Sequence, residues 1–226
     1  MNLVILGCGK TGALVAEVAR GRRHHVIAIS ITENVHGSDL SQDKLQAVDM
    51  VIDFTTPTAV LGNIEACLRA KKNMVVGTTG WFAQLASVRA AVEKAGTGFL
   101  HGANFSIGVN LFFETVRLAA QACVHGYHGQ IFERHHRQKQ DAPSGTAVVL
   151  QEIVKDACGA DLEITSFREG EAVGLHEVVL DSPNDRIYLC HDSKSRRGYA
   201  EGAVLAAEWL GTKKGFFDFR SVWQEL

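Results

Sequence analysis

The chain has 226 residues, 46% of them hydrophobic, with 23 Lys and Arg against 25 Asp and Glu for a formal net charge of −2. That length allows one large domain or two small ones, and the near-neutral balance speaks against a binder of nucleic acid or another polyanion, which needs a basic excess. Five cysteines (Cys8, Cys67, Cys123, Cys158, Cys190) lack CxxC spacing, which disfavours a disulfide framework or structural zinc and predicts reduced, mostly buried thiols.

The opening "MNLVILGCGK" has only a four-residue apolar run, Leu3 to Leu6, with no basic segment before it. No stretch approaches the roughly 18 apolar residues of a membrane span, so a soluble, cytoplasmic protein without a membrane partner is expected. Along the first hundred residues strands and helices alternate. "LVILG" reads as a strand, residues 10–20 as a helix, "HVIAISI" and "VDMVIDF" as strands, and "TAVLGNIEACLRA" as a helix. Strand "NMVVGT", helix "FAQLASVRAAVEKA" and strand "GFLHGAN" follow. Such alternation predicts an α/β fold with a parallel, doubly wound sheet of Rossmann type.

After Asn104 the rhythm changes. "GVNLFFETVRLAAQAC" reads as a long amphipathic helix, "GQIFERHH" as a strand and "SGTAVVLQEIVKDAC" as a helix. Three strand-like runs come next, "EITSFRE", "GLHEVVL" and "RIYLCH". Successive strands joined by short turns predict an antiparallel or mixed sheet, hence a second, α+β domain from about residue 105. The final helix "YAEGAVLAAEWL" and the tail "GFFDFRSVW" are compatible with packing on either domain.

Gly7-Cys8-Gly9-Lys10-Thr11-Gly12 fits GxGxxG between a strand and a helix. Gly7 permits the turn, Gly9 lets backbone approach a pyrophosphate, and Gly12 lets helix and strand pack closely, while the helix start offers N–H donors to phosphate. The alternative is a tight turn without ligand. A ribose-binding acid is missing at the end of the second strand, which offers Ser30 and Thr32, with Glu33 one step late. No arginine marks a 2′-phosphate there either, so NADH and NADPH both stay open. "DFTTP" (with Phe54 and Thr55), "GTTGW" (Gly77, Thr78, Thr79) and "HGANFS" (Gly102, Ala103, Asn104, Phe105) end the next three strands. Loops at those carboxyl ends are expected to contact the cofactor.

"ERHHRQKQDAPSGTA", residues 133–147, places Arg134, His135, His136, Arg137 and Lys139 ahead of a helix start with Ser144 as N-cap. A helix N-terminus with Gly145 and Thr146, a fixed ammonium and two imidazoles suits a carboxylate-bearing substrate and offers a proton donor. If 130–136 is extended, His135, Arg137 and Lys139 share a face and His136 faces away. Both histidines then serve one ligand only if the strand ends or bends between them. The bland alternative is a charged edge strand protected from pairing.

This segment, with "VIDFTTP", "VVGTTGW", "ANFSIGVN", "SFREGEAVGLHEV" and "HDSKSRRGYAEGAVLAAEWL", resembles the 4-hydroxy-tetrahydrodipicolinate (dihydrodipicolinate) reductase family of lysine and diaminopimelate biosynthesis, over nearly the whole chain and in the family's order. The resemblance implies an NADH- or NADPH-dependent oxidoreductase that reduces a small cyclic dicarboxylate with loss of water. It implies a dinucleotide-binding domain over 1–104, rejoined by about 199–226, and a substrate-binding domain over 105–198 that forms a homotetramer. His135 matches the acid/base histidine and Lys139 the proton-donating lysine. His136 matches a substrate-binding histidine, and Ser144, Gly145 and Thr146 the carboxylate loop. Gly7 to Gly12, Gly77 to Thr79 and Gly102 to Phe105 match the cofactor loops. The glycine loop is shorter than the family's usual form, and the acid after the second strand is absent. Domain closure is expected, with hinges near Asn104 and the C-terminal return.

Arg196 is read as structural, His176 as a strand residue near a subunit contact, and Cys8 as a small packing residue. A dehydrogenase for another small acid, or a non-catalytic nucleotide sensor, is the competing reading, but either is expected to lack the His135–Lys139 pair. The ten histidines show no metal-ligand spacing, so no metal is expected.

Overall fold

Short apolar runs bounded by glycine and polar turns build the first sheet. In this computed structural model, which describes all residues except 31, 35, 36, 38 and 39, β1 (Asn2–Leu6) leads into α1 (Lys10–Gly21), β2 (His25–Ile29) and the short α2 (Gln42–Gln46). β3 (Met50–Asp53), α3 (Pro57–Arg69), β4 (Asn73–Val76), α4 (Leu85–Ala95) and β5 (Gly98–His101) follow. Pro57 sits at the start of α3, where its missing N–H costs no helical bond. α4 stops at Gly96, which takes the left-handed conformation at φ 67°.

Leu3 and Ile5 of β1 join one buried cluster, while Val4 and Leu6 join another. Side chains alternate across a strand, so an apolar run covered on both faces needs no polar position. Each such fully buried side chain contributes about 1.5–3 kcal/mol.

The chain continues with α5 (Ile107–Ala119), β6 (His128–His135), α6 (Gly145–Cys158), β7 (Glu163–Arg168), β8 (Leu175–Asp181) and β9 (Arg186–Asp192). Their sheet has the order β7-β6-β8-β9, with β6 parallel to β7 and antiparallel to β8. The expected mixed sheet is therefore present. Ile131, Val178 and Leu180 face Val109, Phe113, Leu150 and Val154 of α5 and α6 in a third buried cluster. Phe167 and Tyr188 remain exposed, at 42% and 65%.

α7 (Arg197–Leu210), β10 (Gly215–Asp218) and α8 (Phe219–Val222) close the chain. The tail, open to either domain from sequence, pairs β10 parallel to β5 and completes a six-stranded sheet of order β10-β5-β4-β3-β1-β2. Two units result, Met1–Ile107 with Arg197–Leu226, and Gly108–Arg196. In the first, winding reverses at β1, flanked by β2 and β3, so the crevice beyond their carboxyl ends is the topological switch point where such sheets bind ligands.

Three expectations need correction. The strand expected to run to 31 is described only to Ile29, residue 31 lying outside the described residues. The thiols are not mostly buried: Cys67 is, but Cys8 and Cys190 are exposed and Cys123 and Cys158 partly so. Ile107–His125 is also long and apolar enough to cross a membrane by length and composition. Its inward face, Val109, Phe112, Phe113 and Val116, instead packs in the third cluster, and Glu114 and Arg117 pair at 2.7 Å on the outside.

Candidate functional site

Each unit carries its own set of polar groups. In the first, Gly7 adopts φ 93°, and a Cβ there would overlap the Phe54 carbonyl. A Cβ on Gly12 would overlap the Gly7 carbonyl oxygen, so both glycines are required by close backbone approach. Gly9 differs: a Cβ there meets nothing within 4 Å. It precedes α1, whose first turn has neither a side-chain cap nor an acidic residue. Those uncapped N–H groups, the helix dipole and the exposed Cys8, Gly9 and Lys10 form a cradle suited to a pyrophosphate. Exposure of Cys8 also removes its reading as a packing residue.

The loops beyond the other strands are tied to the same edge. The amides of Gly7, Phe54, Gly77 and Gly102 donate to Ile29, Leu6, Asp53 and Val76 at 2.9–3.1 Å, each carrying the ladder one step past its strand. Asp53, fully buried, organises two of these loops. Its Oδ1 accepts from the Thr55 amide (2.9 Å), the Thr55 hydroxyl (2.7 Å) and the Thr78 hydroxyl (2.6 Å), and its Oδ2 accepts from Asn63 Nδ2 (2.7 Å). Phe54 lies against Gly77, where any Cβ would overlap its ring, and its centroid is 6.0 Å from that of Phe105. Thr79 and Ala103 are exposed, and Asn104 Oδ1 accepts from the Ser106 amide at 2.9 Å.

Beyond β2, the Glu33 carboxylate accepts from the Ser30 amide (2.8 Å) and the Ser30 hydroxyl (2.7 Å). An acid therefore does stand at this strand end. A turn brings it back, which spacing alone did not reveal.

In the second unit β6 ends at His135, so the two histidines are not two steps of one strand. The His136 amide donates to Ala172 O (2.8 Å) and the Lys139 amide to His136 O (3.1 Å), making a turn in place of the expected face-sharing alternation. The five residues Arg134, His135, His136, Arg137 and Lys139 do not form one patch. Arg134 pairs outward with Glu169 (2.9 Å), Arg137 is exposed, and Arg196 Nη2 lies 3.2 Å from His136 Nε2. Lys139 Nζ contacts Asp141 at 2.8 Å. Ser144 caps α6 as expected, its Oγ accepting from the Ala147 amide at 3.2 Å. Gly145 beside it is exposed and Thr146 half-buried at the helix start.

Beneath this turn, Ile131, Glu133 and His135 point to one face of β6, the apolar core giving way to polar groups toward the strand end. Glu133 lies opposite His176 of β8, and His135 opposite Arg168 of β7. Glu133, fully buried, hydrogen-bonds His135 Nδ1 through Oε2. Its Oε1 accepts from Arg168 Nη2 (2.7 Å) and the Ser144 amide (3.3 Å). Arg168 Nη2 also reaches the Asp141 carbonyl at 2.6 Å. His176 Nε2 is 3.0 Å from Ser144 Oγ.

Electrostatics follow from that packing. Burial alone would raise the Glu133 carboxyl, but hydrogen bonds from Arg168 and Ser166 and the His135 ring bring it below the ordinary range. Burial lowers His135, against the opposing pull of Glu133 and with help from Lys139 and Arg168. Burial, then the neighbouring His135, pushes His176 down to about 3. Near pH 7 this is an ionised carboxylate beside two neutral imidazoles. Ligand atoms of Glu133, His135 and His176 lie within 4.8 Å of one another, a spacing compatible with a metal ion. The carboxylate is already held by the Arg168 guanidinium, and a second cation there would meet direct repulsion.

Sequence reasoning missed Glu133 and Arg168 and took Asp53 only as the start of a cofactor loop; His176 lies on a strand as expected, but its burial within this network was not foreseen. Their only local signal was a charged residue at an inward strand position, Glu133 two residues before His135.

Residues 1–105 match the family described as dihydrodipicolinate reductase, N-terminus, and residues 108–223 match its C-terminus. A 4-hydroxy-tetrahydrodipicolinate reductase of Christiangramia forsetii is 35% identical over 100% of this chain and 99% of its own. That of Laribacter hongkongensis is 36% identical over 98% and 97%. Among solved structures, a dipicolinate-bound dihydrodipicolinate reductase from Paenisporosarcina sp. TG-14 superposes with a TM-score of 0.79 at 21% identity, covering 98% of this chain and 99% of that one. A probable dehydrogenase from Thermotoga maritima follows at 0.56 and 12%, covering 95% and 90%, a likeness of fold alone.

Proposed function

The chain belongs to the dihydrodipicolinate reductase family, and on that premise we propose how its residues divide the reaction. It is an NAD(P)H-dependent oxidoreductase that reduces 4-hydroxy-tetrahydrodipicolinate to tetrahydrodipicolinate in diaminopimelate and lysine biosynthesis. Bound NADH or NADPH supplies the hydride that arrives at C4 of the ring as the hydroxyl leaves with a proton as water.

In the first unit Gly7 to Gly12 hold the pyrophosphate, and Phe54, Thr55, Gly77, Thr78, Thr79 and Gly102 to Phe105 line the rest of the cofactor. Ser30, with Glu33 on it, meets the adenosine ribose. The carrying observation lies in the second unit: the end of β6, the 136–139 turn and the start of α6 bring His135, His136, Lys139 and free helix N–H groups to one place. Because the Ser144 hydroxyl is engaged with Ala147 and His176, the substrate carboxylate is left to the Gly145 and Thr146 end of the helix. His136 and Lys139 add binding groups, and Lys139 and His135 move the proton. Oligomerisation as a tetramer through the open face of the second sheet is supported by exposed Phe167 and Tyr188. A cytoplasmic location fits a biosynthetic role.

The test follows nicotinamide absorbance at 340 nm with enzymatically generated substrate. Wild type oxidises NADH or NADPH only when substrate is present, and Lys139→Ala loses about 100- to 1,000-fold in turnover. Cofactor binding without substrate-dependent oxidation overturns the assignment.

A further inference from the structure

A buried carboxylate with no compensating partner is costly, and such groups persist where they are paired and hydrogen-bonded. Glu133 uses its oxygens differently: one meets the His135 ring, the other a guanidinium and a backbone amide, and the Ser166 hydroxyl of β7 is a further donor. An ionised carboxylate only accepts, so the ring nitrogen facing it must carry the proton. His135 is therefore the Nδ1–H tautomer, and Nε2 is the nitrogen with a lone pair to use. That second edge faces Gly174, where a Cβ would stand 2.9 Å from Nε2. The side of the ring opposite Glu133 is kept clear by an absent side chain.

We infer that Glu133 and Arg168 are paired positioning residues for this reductase: Glu133 fixes the tautomer and angle of His135, while Arg168 balances the Glu133 charge and tethers the turn bearing Lys139. The inference rests on the reading of His135 as the proton-handling group. Without Arg168, an unbalanced buried carboxylate would draw a proton onto His135 and lock the two as an ion pair. With it, the carboxylate orients the ring yet leaves the ring neutral and able to exchange a proton through Nε2. The bond from Arg168 Nη2 to the Asp141 carbonyl extends the same control to the segment in which Asp141 pairs with Lys139.

Charged and titratable groups face His135 from every neighbouring element. They are Glu133 on its own strand, Arg168 on β7, His176 on β8 with His191 of β9 behind it, and Lys139 and Asp141 in the turn. α6 contributes the Ser144 amide and hydroxyl but no charge in its first turn. Lys139 and Arg168 both disfavour imidazolium, and Glu133 alone favours it strongly. Opposite shifts are therefore expected from the two variants: Glu133→Gln lowers the His135 titration and Arg168→Met raises it.

Nitrogen-15 imidazole spectra across pH, with kcat and KM on the same samples, test this. In wild type His135 shows the Nδ1–H tautomer. Glu133→Gln, isosteric and uncharged, lowers kcat about 10- to 100-fold, the usual effect of removing a partner that orients a functional histidine, with KM for cofactor and substrate unchanged. Arg168→Lys keeps the charge and restores most of the turnover lost in Arg168→Met. Should Arg168→Met fail to fold, the double variant Glu133→Gln/Arg168→Met removes both charges together and is expected to fold with His135 titrating near its wild-type position. A folded Glu133→Gln with wild-type kcat, or with an unshifted His135 titration, overturns the pairing. An inactive wild type overturns the reductase reading instead, and the ring-nitrogen shifts still decide whether Glu133 and Arg168 control His135.

Discussion

Ser144 Oγ lies 3.0 Å from His176 Nε2, joining the first residue before α6 to β8, an inner strand of the second sheet. With Ser144 donating, the ring must stay neutral to accept. Burial and the neighbouring His135 enforce this by lowering the His176 titration to about 3. Its unfolded value is near 6.5. Between those values the unfolded chain binds a proton that the folded chain refuses, so stability falls as pH drops from about 6.5 toward 3, at up to about 1.4 kcal/mol per pH unit. His176→Asn removes this dependence while keeping a polar group beside Ser144. Urea midpoints measured from pH 7 to 4 are expected to fall less steeply in the variant, and parallel slopes would show that His176 is not the group responsible.

Asp53 predicts a coupling between stability and cofactor binding. It gathers Thr55, Thr78 and Asn63 around one buried carboxylate. Asp53→Ala strands those donors, each costing about 1–3 kcal/mol when buried without a partner, so a loss of several kcal/mol is expected. Asp53→Asn keeps an acceptor for the threonines but turns an NH2 toward Asn63 Nδ2. The milder variant is expected to fold, bind NADH more weakly and leave the second unit's histidine titrations in place. Fluorescence titration with NADH beside urea unfolding measures both effects. Unchanged affinity in a destabilised protein would make Asp53 a purely structural anchor.

Much of this arrangement was legible in the sequence because periodicity and punctuation are local. β1, α1, the loops at Gly7, Phe54, Gly77 and Gly102, and the Ser144 cap all follow from short-range pattern. What escaped depends on register. Glu133 opposite His176, and His135 opposite Arg168, are cross-strand relations between segments more than 30 residues apart. The carboxylate of Glu33 reaches Ser30 because the chain turns after β2, where counting along an extended strand places it too far. β10 is four residues long and gains its identity from pairing with β5 rather than from its own sequence.

That late pairing makes Asn73 a sensitive position. Its Nδ2 donates to Gly211 O (2.7 Å) and Lys213 O (3.0 Å), and its Oδ1 accepts from the Gly98 amide (2.6 Å). One amide thus clasps β4, β5 and the turn before β10. Asn73→Ala is expected to cost about 1–3 kcal/mol. Amide hydrogen exchange should show the loss concentrated in 213–218, with β1 protection kept. Uniform loss of protection across the sheet would mean that β10 is not a separately opening element.

The glycine loop separates folding from binding most cleanly. Gly12→Ala drives a Cβ into the Gly7 carbonyl, so the loop or helix must shift, and a destabilisation of about 1–3 kcal/mol is expected. Gly9→Ala meets nothing within 4 Å and should leave the urea midpoint close to wild type. If the backbone at Gly9 is where a pyrophosphate approaches, the added methyl occupies that space. NADH affinity then falls on the order of tenfold or more, about 1.4 kcal/mol for each tenfold. Calorimetric titration of the two folded variants decides the matter. Gly9→Ala binding as tightly as wild type would move the pyrophosphate away from this loop, whatever the match to the glycine pattern.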